Sequence, residues 1–95
     1  MKTYVVKALE PVQTDDLSRL DRVVRRRIQK KITQIKSDPY GYGKPLGRAL
    51  MGLYKARVGK YRIVYQVRKT ELLILIIAIA HREEIYALTR ERLGR

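Results

Sequence analysis

Two residues, Gly59 and Lys60, separate the alternating segments that end at Val58 and begin at Tyr61, and no other feature of the chain restricts its fold so tightly. A two-residue loop with glycine first closes an antiparallel hairpin through a type II′ turn. The register follows: Val58 faces Tyr61, Arg57 faces Arg62, Ala56 faces Ile63, Lys55 faces Val64, Tyr54 faces Tyr65 and Leu53 faces Gln66. Side chains alternate along a strand, so Lys55, Arg57, Arg62 and Gln66 fall on one face. Tyr54, Ala56, Val58, Tyr61, Ile63, Tyr65 and Val67 fall on the other. One face is a core, and the other is a group of cations. Like charges directly opposite each other destabilise a sheet, by an amount comparable with the roughly 0.2–1 kcal/mol that favourable cross-strand pairs supply. Arg57 opposite Arg62 breaks that local rule, and such violations concentrate at functional sites. Two readings compete: long stems covering apolar surface with solvated heads, or a bound phosphate that turns the repulsion into attraction.

The rest of the chain supplies the elements around this hairpin. Residues 2–7 are rich in Tyr and Val and read as a first strand. Pro11 suits the first turn of a helix, predicted from Pro11 to Leu20, with Val12, Asp15 and Asp16 near its start. Asp21 is placed to cap a longer helix in which Val24, Ile28, Ile32 and Ile35 form one apolar stripe. Its other faces carry Arg22, Arg25, Arg26, Arg27, Lys30, Lys31 and Lys36 with almost no acid between them. Asp38-Pro39 ends this helix, because the residue before proline is pushed out of the α region. The Tyr40–Gly47 segment, with its glycines and Pro45, reads as an irregular loop. Strands are expected near 53–58, 61–67 and 72–80, and a last helix near 84–92. The strand from Leu72 to Ala80 is apolar on both faces, as a covered central strand is. The Arg68–Glu71 connection fits two registers, so the sequence leaves open whether Ala78 and Ala80 share the face of Arg62. The expected architecture is α+β, one domain over residues 1–95 in the order β-α-α-β-β-β-α. Its sheet is four-stranded and mainly antiparallel, with the helices packed on one face.

Composition narrows the function. The 95 residues include 22 Lys and Arg against 9 Asp and Glu, a net charge of +13, which attracts a polyanion: RNA, DNA, an anionic membrane or an acidic protein. There is no cysteine, which excludes disulfides, cysteine-based zinc sites and a cysteine nucleophile. The single histidine, His81, excludes a His-rich metal site. The N-terminus lacks a signal-peptide pattern, and the longest apolar run, Leu72–Ala80, is nine residues, far short of the ~20 needed to span a bilayer. A cytoplasmic location without membrane contact is expected.

Gly52-Leu53-Tyr54-Lys55-Ala56-Arg57-Val58-Gly59-Lys60-Tyr61-Arg62-Ile63-Val64-Tyr65, followed by His81-Arg82-Glu83-Glu84-Ile85-Tyr86, resembles the RelE family of bacterial and archaeal type II toxin–antitoxin systems. Lys44-Pro45-Leu46 and the two-helix segment ending at Asp38-Pro39 fit it too, so the resemblance spans nearly the whole chain. It marks the RelE/ParE superfamily more securely than RelE within it, and a ParE-like member would act on DNA gyrase. The resemblance implies a RelE-like fold and a ribosome-dependent endoribonuclease that cleaves mRNA in the A site without metal or cofactor. By position, Lys55, Arg57, Arg62, Arg82 and Tyr86 match the family's catalytic residues. Arg57 stands where some members have lysine, and a guanidinium, which keeps its charge, is a poor proton acceptor.

These residue types suit RNA transesterification, which needs a base for the 2′-OH, positive charge for the phosphorane-like transition state and an acid for the leaving 5′-oxygen. Lys55 is the first choice as base, since neighbouring cations disfavour its charged form. Arg57 and Arg62 would hold the phosphate, Arg82 would assist the leaving group, and Tyr86 would stack on a base or orient the 2′-OH. His81 is a further candidate on imidazole chemistry, against its reading as a polar strand-end residue. Tyr86 reads equally as an anchor for the last helix. Arg25, Arg26, Arg27, Lys30, Lys31 and Lys44 are expected to bind RNA or the ribosome, with the helix docking on rRNA while the sheet handles the message. The resemblance also implies a cognate acidic, RelB-like antitoxin that covers basic surface and displaces the last helix, with operator DNA bound only through the complex. A non-enzymatic reading remains open: a ParE-like gyrase inhibitor, or an inactive relative that binds only antitoxin or nucleic acid.

Overall fold

The computed structural model describes residues 3–47, 50 and 52–94; Lys2 of the expected first strand lies outside them. The hairpin is formed by β3 (Leu53–Val58) and β4 (Tyr61–Arg68), with all six residue pairs in the register expected from the sequence. Gly59 has φ 59°, while Lys60 does not have a positive φ, as a turn with glycine at its first central position requires. Beside it, β5 (Leu73–His81) pairs antiparallel with β4, and β1 (Val5–Ala8) pairs parallel with β5.

The sheet has five strands, in the order β1-β5-β4-β3-β2, where four were expected. The additional strand, β2, is Lys44–Pro45, in the segment read as irregular loop; Lys44 pairs with Lys55 and Pro45 with Tyr54. Proline is tolerated there because β2 is an edge strand.

The helix α1 (Arg22–Ser37) is capped by Asp21, whose Oδ1 accepts the Val24 N–H at 2.9 Å. Upstream, the expected helix from Pro11 to Leu20 is shorter at its end: residues 10 and 11 are helical and run into a π-helical turn, Val12–Asp16, followed by irregular turns. Between β4 and β5 a bulge intervenes: Val64 pairs with Ala78 but Tyr65 with Ile76, which leaves Ile77 as the extra residue. This settles the register the sequence left open. Arg62 faces Ala80, so both alanines lie on the cation face.

The helices divide between the two faces of the sheet instead of sharing one. Ile28 and Ile35 of α1, with Val12 and Leu20, pack against Ala56, Val58, Ile63, Tyr65, Ile74, Ile76 and Ile79. On the opposite face, Ile85 and Leu88 of α2 (Ile85–Leu93) pack with Leu53, Val64, Ile77 and Ala78. The reason is β5, whose two apolar faces both need cover. At the end of α2, Arg92 makes a two-pronged ion pair with the buried Asp16, at 2.5 and 2.6 Å. The same carboxylate accepts the Ile79 N–H at 2.8 Å, and Arg92 donates to the Ile77 carbonyl at 3.1 Å. These contacts satisfy the edge of β5 beyond the last paired residue of β1, Ala8 opposite Ile76.

Candidate functional site

Because α2 covers the cation face only around Val64 and Ala78, the hairpin end of that face stays open. Arg57, Arg62 and Lys55 project there, with the small side chain of Ala80 beside Arg62. Arg62 is fixed by its own turn: Nη1 donates to the Gly59 carbonyl at 3.0 Å and the Tyr61 carbonyl at 2.8 Å. Those two acceptors ease the repulsion from Arg57. Lys55 is half-buried, and its Nζ donates to the Tyr86 hydroxyl at 2.5 Å. The ammonium is 5.1 Å from the Tyr86 ring centroid, a separation that places it beyond the hydroxyl and not over the ring face. Tyr86, in the first turn of α2, thus joins the helix to the hairpin site.

A cleft of about 430 Å3 opens over this group, walled by Lys55, Arg57 and Arg62 of the sheet, Lys44 of β2 and Lys31 of α1. Among the described residues, five cations line it and no carboxylate does. The remaining wall is the Gly41–Gly43 loop with Tyr42, whose ring centroid is 5.6 Å from the Lys31 ammonium. This loop is held rigidly. The Tyr65 hydroxyl, buried in the core, donates to the Pro39 carbonyl at 2.6 Å, and burial pushes its pKa well above the usual phenol value. The Asp38 carboxylate accepts the Gly41 N–H at 3.0 Å. At Gly43 a Cβ would fall 2.0 Å from the Tyr65 hydroxyl and 3.1 Å from the Lys55 carbonyl, so only glycine lets the loop approach the hairpin. Tyr54 stacks on Tyr65 at 5.9 Å, and Tyr61 packs against the core as expected.

The other sequence candidates are placed differently. Arg82 is exposed, with its backbone N–H donating to the Lys60 carbonyl at 2.8 Å; this sets it beside the hairpin turn, and it does not line the cleft. His81 is opposite Tyr61 in register, on the face away from Arg62, with the two rings edge to face at 5.8 Å. It lines another cleft, of about 490 Å3, together with Asp16, Glu84, Glu91 and Arg19. The carboxylates there make a poor setting for a phosphate. On α1, Arg25 donates to the Leu17 carbonyl at 3.2 and 2.8 Å, from Nε and Nη2, and so closes the preceding turn instead of facing solvent freely. Arg26 is exposed and does not line the cleft. Arg27 and Lys30 share a groove with Lys31 and Arg57. Tyr42 is a site residue that sequence reasoning misses, since it carries no signal beyond an aromatic between two glycines. Among the described residues, no three His, Cys, Asp or Glu side chains group so as to hold a metal ion.

A family model described as the ParE toxin of type II toxin-antitoxin system, parDE, matches residues 9–86. The chain belongs to the RelE/ParE superfamily of type II toxins. Among curated proteins, the chain is 32% identical over 72 residues to the toxin RelG of Mycobacterium tuberculosis (strain ATCC 25618 / H37Rv), covering 75% of this chain and 83% of that protein. It is also 32% identical over 80 residues to the toxin RelE of the same organism, covering 83% and 82%. The toxin–antitoxin complex RelBE2 from M. tuberculosis contains a chain of similar fold, with a TM-score of 0.77 and 27% identity, covering 84% of this toxin and 99% of that chain. The archaeal RelE–RelB complex from Pyrococcus horikoshii contains another, with a TM-score of 0.68 and 27% identity over 84% and 96%. No described helix is long and apolar enough to cross a membrane.

Proposed function

We propose that this toxin is a ribosome-dependent endoribonuclease that cuts mRNA in the ribosomal A site and so stops translation. The observation that carries the reading is the carboxylate-free cleft in which Lys31, Lys44, Lys55, Arg57 and Arg62 converge. Cations fixed around one space stabilise the charge that builds on the phosphorane as the 2′-oxygen attacks, and such electrostatic stabilisation is usually the largest single contribution to catalysis. Arg57 and Arg62 would grip the scissile phosphate, Arg62 from an orientation set by the turn carbonyls. Lys55, in its neutral amine form, is the candidate to take the 2′-OH proton, with the Tyr86 hydroxyl holding the side chain in place. Arg82, exposed beside the hairpin turn, would swing its side chain over the cleft to reach the leaving oxygen. His81, on the far side of the sheet, is given no part in the chemistry.

The same surplus of charge calls for a partner that silences it. An acidic, RelB-like antitoxin covering the cleft fits, as the RelBE2 and archaeal RelE–RelB complexes are toxin–antitoxin assemblies; operator DNA would be bound through that complex. The site of action is the cytoplasm, where ribosomes and message are. The ParE description of the matching family supports a second reading, inhibition of DNA gyrase. Primer extension on a translated message, with and without the toxin, separates the two. Cuts in frame at A-site codons are expected; intact message together with blocked DNA supercoiling would overturn the nuclease reading in favour of gyrase.

A further inference from the structure

We infer that the groove between α1 and the end of β3 is a second phosphodiester subsite, so that one RNA strand runs from the cleft onto α1. This deepens the nuclease reading and rests on it. Arg27, Lys30, Lys31 and Gln34 follow one another at i, i+3, i+4 and i+7, a single stripe of the helix. The neighbouring stripe of Ile28 and Ile35 is buried against the sheet, which holds the basic stripe alongside β3. Between them lies a groove of about 280 Å3 whose opposite wall is Arg57 and Gly59. A Cβ on Gly59 would sit 3.4 Å from the Arg27 guanidinium, so that group lies against the hairpin turn.

Among the described residues, four cations line this groove, again without a carboxylate. Lys31 and Arg57 wall both the groove and the cleft, so the two are adjoining compartments of one basic channel. Successive phosphates of one strand need that arrangement, because each must find cations within a nucleotide step of the last. Docking of α1 on rRNA, apart from the message, would require no shared wall. Arginine forks and lysine point charges are the side chains that hold phosphate oxygens. At the cleft end Tyr42, 41% exposed, offers a ring on which a base can stack, as in other single-strand channels.

The test uses uncleavable 2′-O-methyl oligonucleotides titrated into the intact toxin by NMR: a dinucleotide with one phosphodiester and a trinucleotide with two. The trinucleotide is expected to bind more tightly, and its affinity to fall more steeply with salt, by about 0.7 in the log–log slope for the one extra single-strand phosphate. The double variant R27A/K30A, altered only at exposed positions, should lose both the extra affinity and the extra slope. Its affinity for the dinucleotide should stay within about twofold, since the cleft cations are intact. A thermal melt coinciding with that of the unaltered toxin excludes a folding defect. A trinucleotide advantage that persists in R27A/K30A, or is absent from the unaltered toxin while that toxin still cuts translated message, overturns the subsite alone. Failure of both oligonucleotides to bind, with no cleavage, overturns the nuclease reading and the subsite together.

Discussion

Replacing Arg92 by Met tests how the site is held in place. The side chain of Asp16 is only 3% exposed and that of Arg92 11%, and both prongs of the pair are short. Methionine fills much of the stem's volume but leaves a carboxylate inside the fold with, among the described residues, the Ile79 N–H as its one remaining hydrogen-bond donor. Breaking one side of such a pair costs about 3–5 kcal/mol, because the surviving charge is stranded, whereas an exposed ion pair is worth about 0–1. A domain of this size has a total stability of about 5–15 kcal/mol, so the variant loses a large part of it. At about 4–8 °C per kcal/mol, the melting temperature should fall by roughly 12–40 °C. Differential scanning calorimetry or a circular-dichroism melt reads the change. The second arm is Arg92→Met combined with Asp16→Asn, which removes the stranded charge but keeps an oxygen to accept the Ile79 N–H. The double variant should be more stable than Arg92→Met alone, the mark of coupled residues. A fall of less than about 4 °C for Arg92→Met, the low end expected for a single kcal/mol, or a double variant whose losses simply add, would refute the claim that this pair anchors α2.

Two further perturbations act on the cleft itself. Gly43→Ala should push the 41–43 loop off the hairpin, because its Cβ would meet the Tyr65 hydroxyl and the Lys55 backbone; overpacking of this kind costs about 1–3 kcal/mol. A urea melt reads the loss, and an unchanged midpoint would show that the loop has room to move. Tyr86→Phe removes the acceptor of the Lys55 ammonium while keeping the ring. Misplacing a catalytic group by about 1 Å costs about 100-fold, so with the Lys55 side chain no longer held by the hydroxyl, single-turnover cleavage of ribosome-bound message should slow by about 10–100-fold with binding unchanged. An unaltered rate would reduce Tyr86 to an anchor for the helix.

Much of this site is legible in the amino-acid order alone. The Gly59-Lys60 turn carries its own register, because a two-residue loop leaves no freedom in how the flanking strands pair, and that fact groups Lys55, Arg57 and Arg62 on one face. Asp21 as a cap and Val24, Ile28, Ile32 and Ile35 as the apolar stripe are equally local, set by hydrogen bonds and periodicity within one helix. Illegible are the features made by residues far apart in the chain. A two-residue edge strand has no periodicity to detect, so β2 reads as loop. The Ile77 bulge leaves no mark on a uniformly apolar strand, and it hides which face Ala78 and Ala80 occupy. His81 adjoins Arg82 in sequence but lies across the sheet from Arg62, a consequence of strand alternation that depends on the β4–β5 register.

The sequence by itself determined the hairpin, the long helix and the sign of the charge, because turn chemistry, helical period and ionisation depend on neighbours a few residues away. It also divided the cations into a dispersed helix face and a convergent sheet face. Only the tertiary structure removed that division. Packing α1 on the core face brings Lys31 to the rim of β3, where it shares a cleft with Lys55, Arg57 and Arg62 and a groove with Arg27 and Lys30. Electrostatic repulsion falls off with distance in space and not along the chain. How much positive charge this toxin gathers in one place was therefore decided by how its elements pack.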